Sequence, residues 1–231
     1  FIEFPLAEAE VVEDVTNYNF PESMAAGRFD FAKQQVQKYG DNYAIVADLE
    51  TSIFETSWYL VGLEKFLMDL MIGQPYVNAL MDKIMTINVK SPFFLTQALL
   101  PLLETAGSAE DPARIIMVGS IDGLNVNRLP TFSYGPSKAA IHHLARTLAA
   151  HLANRHITAN AIAPGLFPSK MTAGIAHAMG EEIRKNVPLK RWGEPADMAG
   201  AAIYLASKAG AYVSGAVIPV DGGIVASART L

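Results

Sequence analysis

From residue 114 onward the chain alternates short apolar runs with helical patterns, and this alternation constrains its fold more than any other feature. Arg114 to Gly119 reads as a strand that runs into a loop. Ser133 to Ala153 reads as a helix, with apolar residues at 141, 144, 145, 148, 149 and 152 on one face of a 3.6-residue period. Ile157 to Ile162 is a second strand, ended by Pro164-Gly165. A helical excursion is expected over Met171 to Asn186. A helix follows over Pro195 to Ser207, with proline at its start, where the missing N–H is harmless. Ala216 to Val220 is a last strand, closed by Asp221-Gly222-Gly223. Strands alternating with helices imply a parallel α/β sheet.

The first third reads differently. Residues 1–42 are acidic and punctuated by Pro5, Pro21, Gly27 and Gly40. Val11 to Tyr18 is too short and polar to assign. A helix is expected over Phe29 to Tyr39, capped by Gly40, and a buried strand over Tyr43 to Asp48. A buried helix should span Ser57 to Met71. Another should run from Pro75 to the neighbourhood of Leu103, broken near Ser91-Pro92. Residues 1–84 hold 14 acidic and 5 basic residues, a charge of −9, and residues 85–231 hold 9 and 13, a charge of +4. All five histidines lie in the second segment, and 13 of 21 aromatics lie in the first. Two segments of different origin, 1–84 and 85–231, account for this shift, and ordinary fluctuation is the competing account.

Composition removes several function classes. The absence of cysteine excludes disulfides, thiolate metal sites and cysteine nucleophiles. No metal site is expected. No basic cluster marks a nucleic-acid interface. No run of about 18 apolar residues marks a membrane span. No secretory pattern opens the sequence at Phe1, so a cytoplasmic protein is the expectation.

Tyr134 and Lys138 lie four residues apart in a helical pattern and therefore share one face. A phenol with a pKa of about 10 exchanges protons poorly at neutral pH unless tuned. A nearby ammonium favours the phenolate and lowers that pKa. Ser120 reaches the same region from the loop after a strand, where α/β sheets place their ligands. Its hydroxyl can hold a substrate carbonyl or alcohol, and together the three make a proton relay. Tyr-x-x-x-Lys alone recurs by chance on solvated helix faces. His142 and His143 follow the motif and are expected to be exposed rather than ligands. Trp192 is expected to pack.

The company this motif keeps is more specific. Ile87-Asn88-Val89 with Ser91-Pro92-Phe93-Phe94, Val118-Gly119-Ser120-Ile121-Asp122-Gly123, and Tyr134-Gly-Pro-Ser-Lys138 appear in order. They are followed by Asn160-Ala-Ile-Ala-Pro164-Gly165, Arg191-Trp-Gly-Glu-Pro195 and Val220-Asp221-Gly222-Gly223. From about Met85 to the C-terminus the chain resembles the short-chain dehydrogenase/reductase family, and more narrowly its 3-oxoacyl reductase-like members. The resemblance implies an NAD(P)-dependent oxidoreductase acting on a small-molecule carbonyl or alcohol. It implies that Asn88 supports a water of the proton relay, Ser120 orients the carbonyl and Tyr134 donates the proton. Lys138 would hold the nicotinamide ribose and lower the tyrosine pKa. Pro164, Gly165, Phe167 and Ser169 would line the nicotinamide, and residues 167–190 would set substrate selectivity. A homo-oligomer is compatible with this reading.

The family's pyrophosphate loop, Gly-x-x-x-Gly-x-Gly, has no counterpart here, since Gly27, Gly40, Gly62 and Gly73 are isolated. Its Asn-Asn-Ala-Gly segment is also missing. The expected fold is thus an incomplete Rossmann-like, doubly wound parallel sheet. It lacks the N-terminal nucleotide-binding strands and follows a mixed α/β segment. Asp41-Asn-Tyr-Ala-Ile-Val-Ala-Asp48 and Ile53-Phe-Glu-Thr-Ser-Trp58-Tyr59-Leu-Val-Gly62 resemble instead the uroporphyrinogen decarboxylase-like barrel proteins. Asp48, Glu50 and Glu55 form a carboxylate cluster only if the rest of a barrel is present. A fusion or chimera joined near Met81 to Met85 is one reading. A catalytically inactive α/β protein and a half-domain that needs a partner remain the alternatives to an active reductase.

Overall fold

A computed structural model describes residues 10–17, 81–126, 133–168, 180–181 and 184–227. The chain forms two compact units, one of Phe1–Thr51 with Thr56–Asp82 and one of Ser52–Glu55 with Lys83–Leu231. The expected helices over 29–39 and 57–71, the strand over 43–48, and Asp48, Glu50 and Glu55 lie outside the described residues.

In the first unit the short polar stretch that periodicity does not assign contains a helix, α1 (Val12–Thr16). The Asp14 carboxylate starts it by accepting from the backbone N–H groups of Glu10 (2.9 Å) and Val11 (3.1 Å).

In the second unit three strands form one parallel sheet: β1 (Ala113–Val118), β2 (Ile157–Pro164) and β3 (Val217–Val220), in that spatial order. The central strand β2 is buried almost throughout, as a strand paired on both edges should be. Helix α2 (Ser91–Ala106) precedes β1, α3 (Tyr134–Leu152) connects β1 to β2, and α4 (Pro195–Ala206) precedes β3. The register aligns Met117 with Ala161 and Ala161 with Val217, a row on one face of the sheet. Helix α3 lays Ile141, Leu144, Ala145 and Leu148 on this row. That is the apolar face expected from the sequence. Fully burying an aliphatic side chain of this kind contributes roughly 1.5–3 kcal/mol, so this layer is the main anchor of α3.

The expected break near Ser91-Pro92 is not a break. The chain is helical from 81 to 106, and the irregularity is a five-residue π-helical segment, Thr86–Lys90, directly before α2. Its wider turn is closed by the Ser91 N–H bonded to the Thr86 carbonyl. Pro92 has no N–H for the Asn88 carbonyl four residues back, so a regular α-turn is incomplete there and the wider turn absorbs the proline.

Candidate active site

Because the three strands are parallel, their C-terminal ends open on the same side of the sheet, where ligands of such folds bind. Ser120 lies just past the end of β1, with only 8% of its surface exposed. It caps the 3-10 turn Ile121–Gly123 by accepting from the Asp122 N–H at 3.2 Å. Ile121 holds this turn down by packing with Val187 and Ile224. A hydroxyl that accepts one bond keeps its own proton to donate, so Ser120 is poised to bind an oxygen.

Tyr134 and Lys138 occupy the first turn of α3, both half-buried. The Lys138 ammonium donates to the Val118 carbonyl at 3.1 Å and lies 5.5 Å from the centroid of the Tyr134 ring. One lysine therefore ties the helix to the end of the strand that leads into Ser120 and brings positive charge to the phenol. Asn88 comes from the π-helical segment and is buried. Its side-chain amide donates to Ser137 Oγ at 2.9 Å, and Ser137 Oγ donates to the Tyr134 carbonyl at 2.8 Å.

Pro164 ends β2, and Gly165 follows it, with its N–H bonded to the Val220 carbonyl at 2.9 Å. A side chain at Gly165 would stand 2.7 Å from the Asp221 Cα, so only glycine allows the two strand exits to approach this closely. Asp221 is fixed there by accepting from the N–H groups of Gly223 (2.9 Å) and Val225 (2.7 Å). The Phe167 ring packs over Gly193, whose N–H bonds the Leu166 carbonyl at 2.9 Å. A cavity of about 310 Å³ opens beside Phe167, lined by Leu166, Val187, Leu189, Arg191 and Asp221 among others. Ser169 lies outside the described residues, as does most of the expected excursion over 171–186.

Sequence reasoning passed over two features here, Ser137 and Asp197. Ser137 sits three positions after Tyr134, a polar residue on the buried side of a helix. Asp197 grips Arg191 with two bonds of 2.7 and 2.8 Å and accepts from the Glu194 N–H, which starts α4. The Arg191 guanidinium and that backbone bond hold its carboxyl down at about 2. Trp192 is half-buried, and its indole N–H donates to the Gly180 carbonyl at 3.4 Å.

The burial of His142 corrects an expectation. His143 is exposed, but His142 is 1% exposed, on the sheet-facing side of α3. Its ring fills the space that a side chain at residue 119 would take: a Cβ on Gly119 would lie 1.9 Å from the imidazole Nε2. Neither ring nitrogen has a hydrogen-bond partner among the described residues. Burial lowers the His142 pKa to about 4; the nearby Gly123 carbonyl opposes this, and Arg146 and Lys138 add to it. A base whose folded pKa lies below its unfolded value stabilises the fold fully above the unfolded pKa of about 6.5. It loses that stability as pH falls from there toward 4. The chain should therefore lose on the order of 2 kcal/mol between pH 7 and pH 5 through this residue. Chemical denaturation of wild type and His142→Leu at both pH values checks this, and equal losses in the two proteins would refute it.

Among the described residues there is no group of three histidines or carboxylates that could hold a metal, and no helix long and apolar enough to cross a membrane.

The chain is similar to proteins described as reductases and dehydrogenases. Residues 75–225 match the family model described as enoyl-(acyl carrier protein) reductase. The rhamnolipids biosynthesis 3-oxoacyl-[acyl-carrier-protein] reductase of Pseudomonas aeruginosa is 41% identical over 202 residues, covering 82% of this chain and 79% of that protein. This share exceeds what residues 85–231 alone can supply, so the likeness extends into the N-terminal segment. The solved Pseudomonas aeruginosa RhlG/NADP active-site complex is 48% identical with a TM-score of 0.62, covering 64% of this chain and 58% of that one. A gluconate 5-dehydrogenase from Burkholderia cenocepacia in complex with NADP and tartrate is 30% identical with a TM-score of 0.59, covering 64% of this chain and 57% of that one. The chain spans little more than half the length of these solved relatives.

Proposed function

Since this chain belongs to the short-chain dehydrogenase/reductase family, we propose that it catalyses NAD(P)H-dependent reduction of a small carbonyl, or the reverse oxidation of a secondary alcohol. The observation that carries this reading is the bond from Lys138 to the Val118 carbonyl, with the same ammonium 5.5 Å from the Tyr134 ring. It brings the phenol, the ammonium and the Ser120 loop to one end of the sheet.

In this reading Ser120 donates to the substrate carbonyl oxygen and orients it. Tyr134 passes the phenolic proton to that oxygen as negative charge develops on it. Lys138 stabilises the phenolate left behind. Asn88 completes the relay through a water. A nicotinamide supplies the hydride. The residues that would hold it are Lys138 at the ribose, and Pro164, Gly165, Phe167 and Ser169 around the ring. The donor chemistry fits that half of the cofactor: a lysine with ammonium protons for ribose hydroxyls, beside a strand exit that Gly165 lets pack closely against Asp221. The two solved relatives named above carry NADP and a 7α-hydroxysteroid dehydrogenase of similar likeness carries NADH, so this reading takes either form of the cofactor. The cavity beside Phe167 has an apolar side of Leu166, Val187 and Leu189 and a charged side of Arg191, Asp197 and Asp221, which suits a substrate with both apolar and polar parts, in keeping with the relative named as a 3-oxoacyl reductase.

The pyrophosphate half is a different matter. Nowhere in the 231 residues does the pattern Gly-x-x-x-Gly-x-Gly occur. Backbone amides of such a loop ordinarily supply much of the cofactor's binding energy. That absence favours a second reading, in which this chain is an impaired or inactive chimera or a half-domain that needs a partner. The barrel-like resemblance of residues 1–84 belongs to this second reading, and the 82% match to the Pseudomonas reductase weighs against it.

NADPH oxidation by the purified chain with a 3-oxoacyl substrate tests the first reading; a rate no higher than that of Tyr134→Phe would overturn it. The NADPH dissociation constant of the monomer, measured by fluorescence titration, is expected to be weaker than micromolar. Micromolar binding would remove the case for impairment.

A further inference from the structure

Ser137 is the only residue of the first turn of α3 that is completely inaccessible, at 0% exposure. Its hydroxyl is used twice. It donates to the Tyr134 carbonyl at 2.8 Å and accepts from the Asn88 amide at 2.9 Å. A serine hydroxyl has a single proton, so the direction of both bonds is fixed. With that proton committed to Tyr134, only a lone pair faces Asn88, and Asn88 must present its NH₂ group. The second bond joins residues 49 positions apart and ties the π-helical segment Thr86–Lys90 to the turn that carries Tyr134 and Lys138. A π-helical turn is rare and needs support from outside itself. Asn88 is 8% exposed and sits in the middle of it, so its amide would be buried without a partner if Ser137 were apolar.

We propose that Ser137 is a positioning residue: it locks Asn88 and its π-helical segment to the Tyr134 turn, so that the amide and the phenol hold one geometry. It touches neither substrate nor cofactor in this role. The catalytic consequence rests on the reading of Tyr134 as the proton donor.

The test compares Ser137→Ala and Ser137→Thr with the full-length wild-type chain, using NADPH turnover and hydrogen exchange. Alanine should lower kcat by about tenfold or more, with KM for NADPH nearly unchanged, and should displace the pH limb of kcat. Threonine keeps a hydroxyl that can bond the carbonyl one turn back, and should recover most of the loss. Exchange of the backbone amides of Thr86–Lys90 should rise about tenfold in the alanine variant while the middle of α3 stays protected. An active chain whose Ser137→Ala variant keeps the wild-type kcat and pH limb overturns the proposal. A wild-type chain with no turnover defeats the functional reading instead. Exchange then decides the positioning role, and unchanged protection of Thr86–Lys90 in the alanine variant overturns it.

Discussion

Tyr134→Phe is expected to lower kcat by about 10²–10⁴-fold, the range for loss of a positioned general acid. The substitution removes one oxygen and leaves the ring that lies 5.5 Å from the Lys138 ammonium. Lys138 keeps its bond to the Val118 carbonyl, so the turn should hold its shape. Binding of NADPH should change little, because the lost group acts on the substrate oxygen. Single-turnover NADPH oxidation separates the two effects. A variant that retains more than a tenth of the wild-type rate would remove Tyr134 from the proton-transfer step. If Tyr134→Phe instead weakened KM and left kcat intact, the phenol would be a binding group.

The largest expected effect on stability comes from a residue outside the candidate site. Asn160 is 1% exposed on the central strand β2. Its amide donates to the Val213 carbonyl at 2.7 Å, and its side-chain oxygen accepts from the Ala216 N–H at 3.0 Å. These two bonds hold the loop that delivers β3 to the sheet. Asn160→Leu is nearly the same size but leaves both half-buried backbone groups without this partner. At roughly 1–3 kcal/mol for each unsatisfied group, the loss should reach about 3–4 kcal/mol. That is a large share of the net stability of an ordinary domain. Guanidinium denaturation should show a clearly lower midpoint with an unchanged slope. A wild-type midpoint would mean that the loop is held by the β2–β3 ladder alone.

Much of the second unit is legible in the sequence. The apolar residues of α3 recur every three or four positions, and they are the residues that cover Met117, Ala161 and Val217. The strand ends differ from the expected ones by a residue or two: β2 runs on through Ala163 and Pro164, because its pairing to β3 continues to Pro164 opposite Val220. A local pattern cannot show that, since the partner lies more than fifty residues away. The irregularity at Ser91-Pro92 is visible as a proline. Its form is not, because a proline breaks a helix or widens one depending on what else supports the turn.

His142 shows the same limit at the site. Two adjacent histidines on a helix look alike in sequence, yet one faces solvent and its neighbour lies against Gly119. A single step of about 100° around the helix separates them, and only the position of β1 decides which one is covered. Ser137 and Asp197 escape sequence reasoning for a related cause. Their partners, Asn88 and Arg191, are named by the motifs, but the bonds between them depend on how segments meet in space.

The sequence by itself determined the parallel α/β order of residues 113–220 and the placing of Tyr134 and Lys138, two members of the proposed proton relay, on one helix face. Both follow from local periodicity and from spacing within one turn of helix, whereas Asn88 joins the proposed relay only through the family resemblance. It also determined that no Gly-x-x-x-Gly-x-Gly loop lies within these 231 residues. Only the tertiary structure decided which polar groups pair. Lys138 binds the Val118 carbonyl and Asn88 binds Ser137, whereas His142 fills the space above Gly119 with no hydrogen-bond partner among the described residues. Hydrogen bonds are satisfied at about 3 Å between atoms that the chain can bring from any distance along its length, and that meeting is a property of packing.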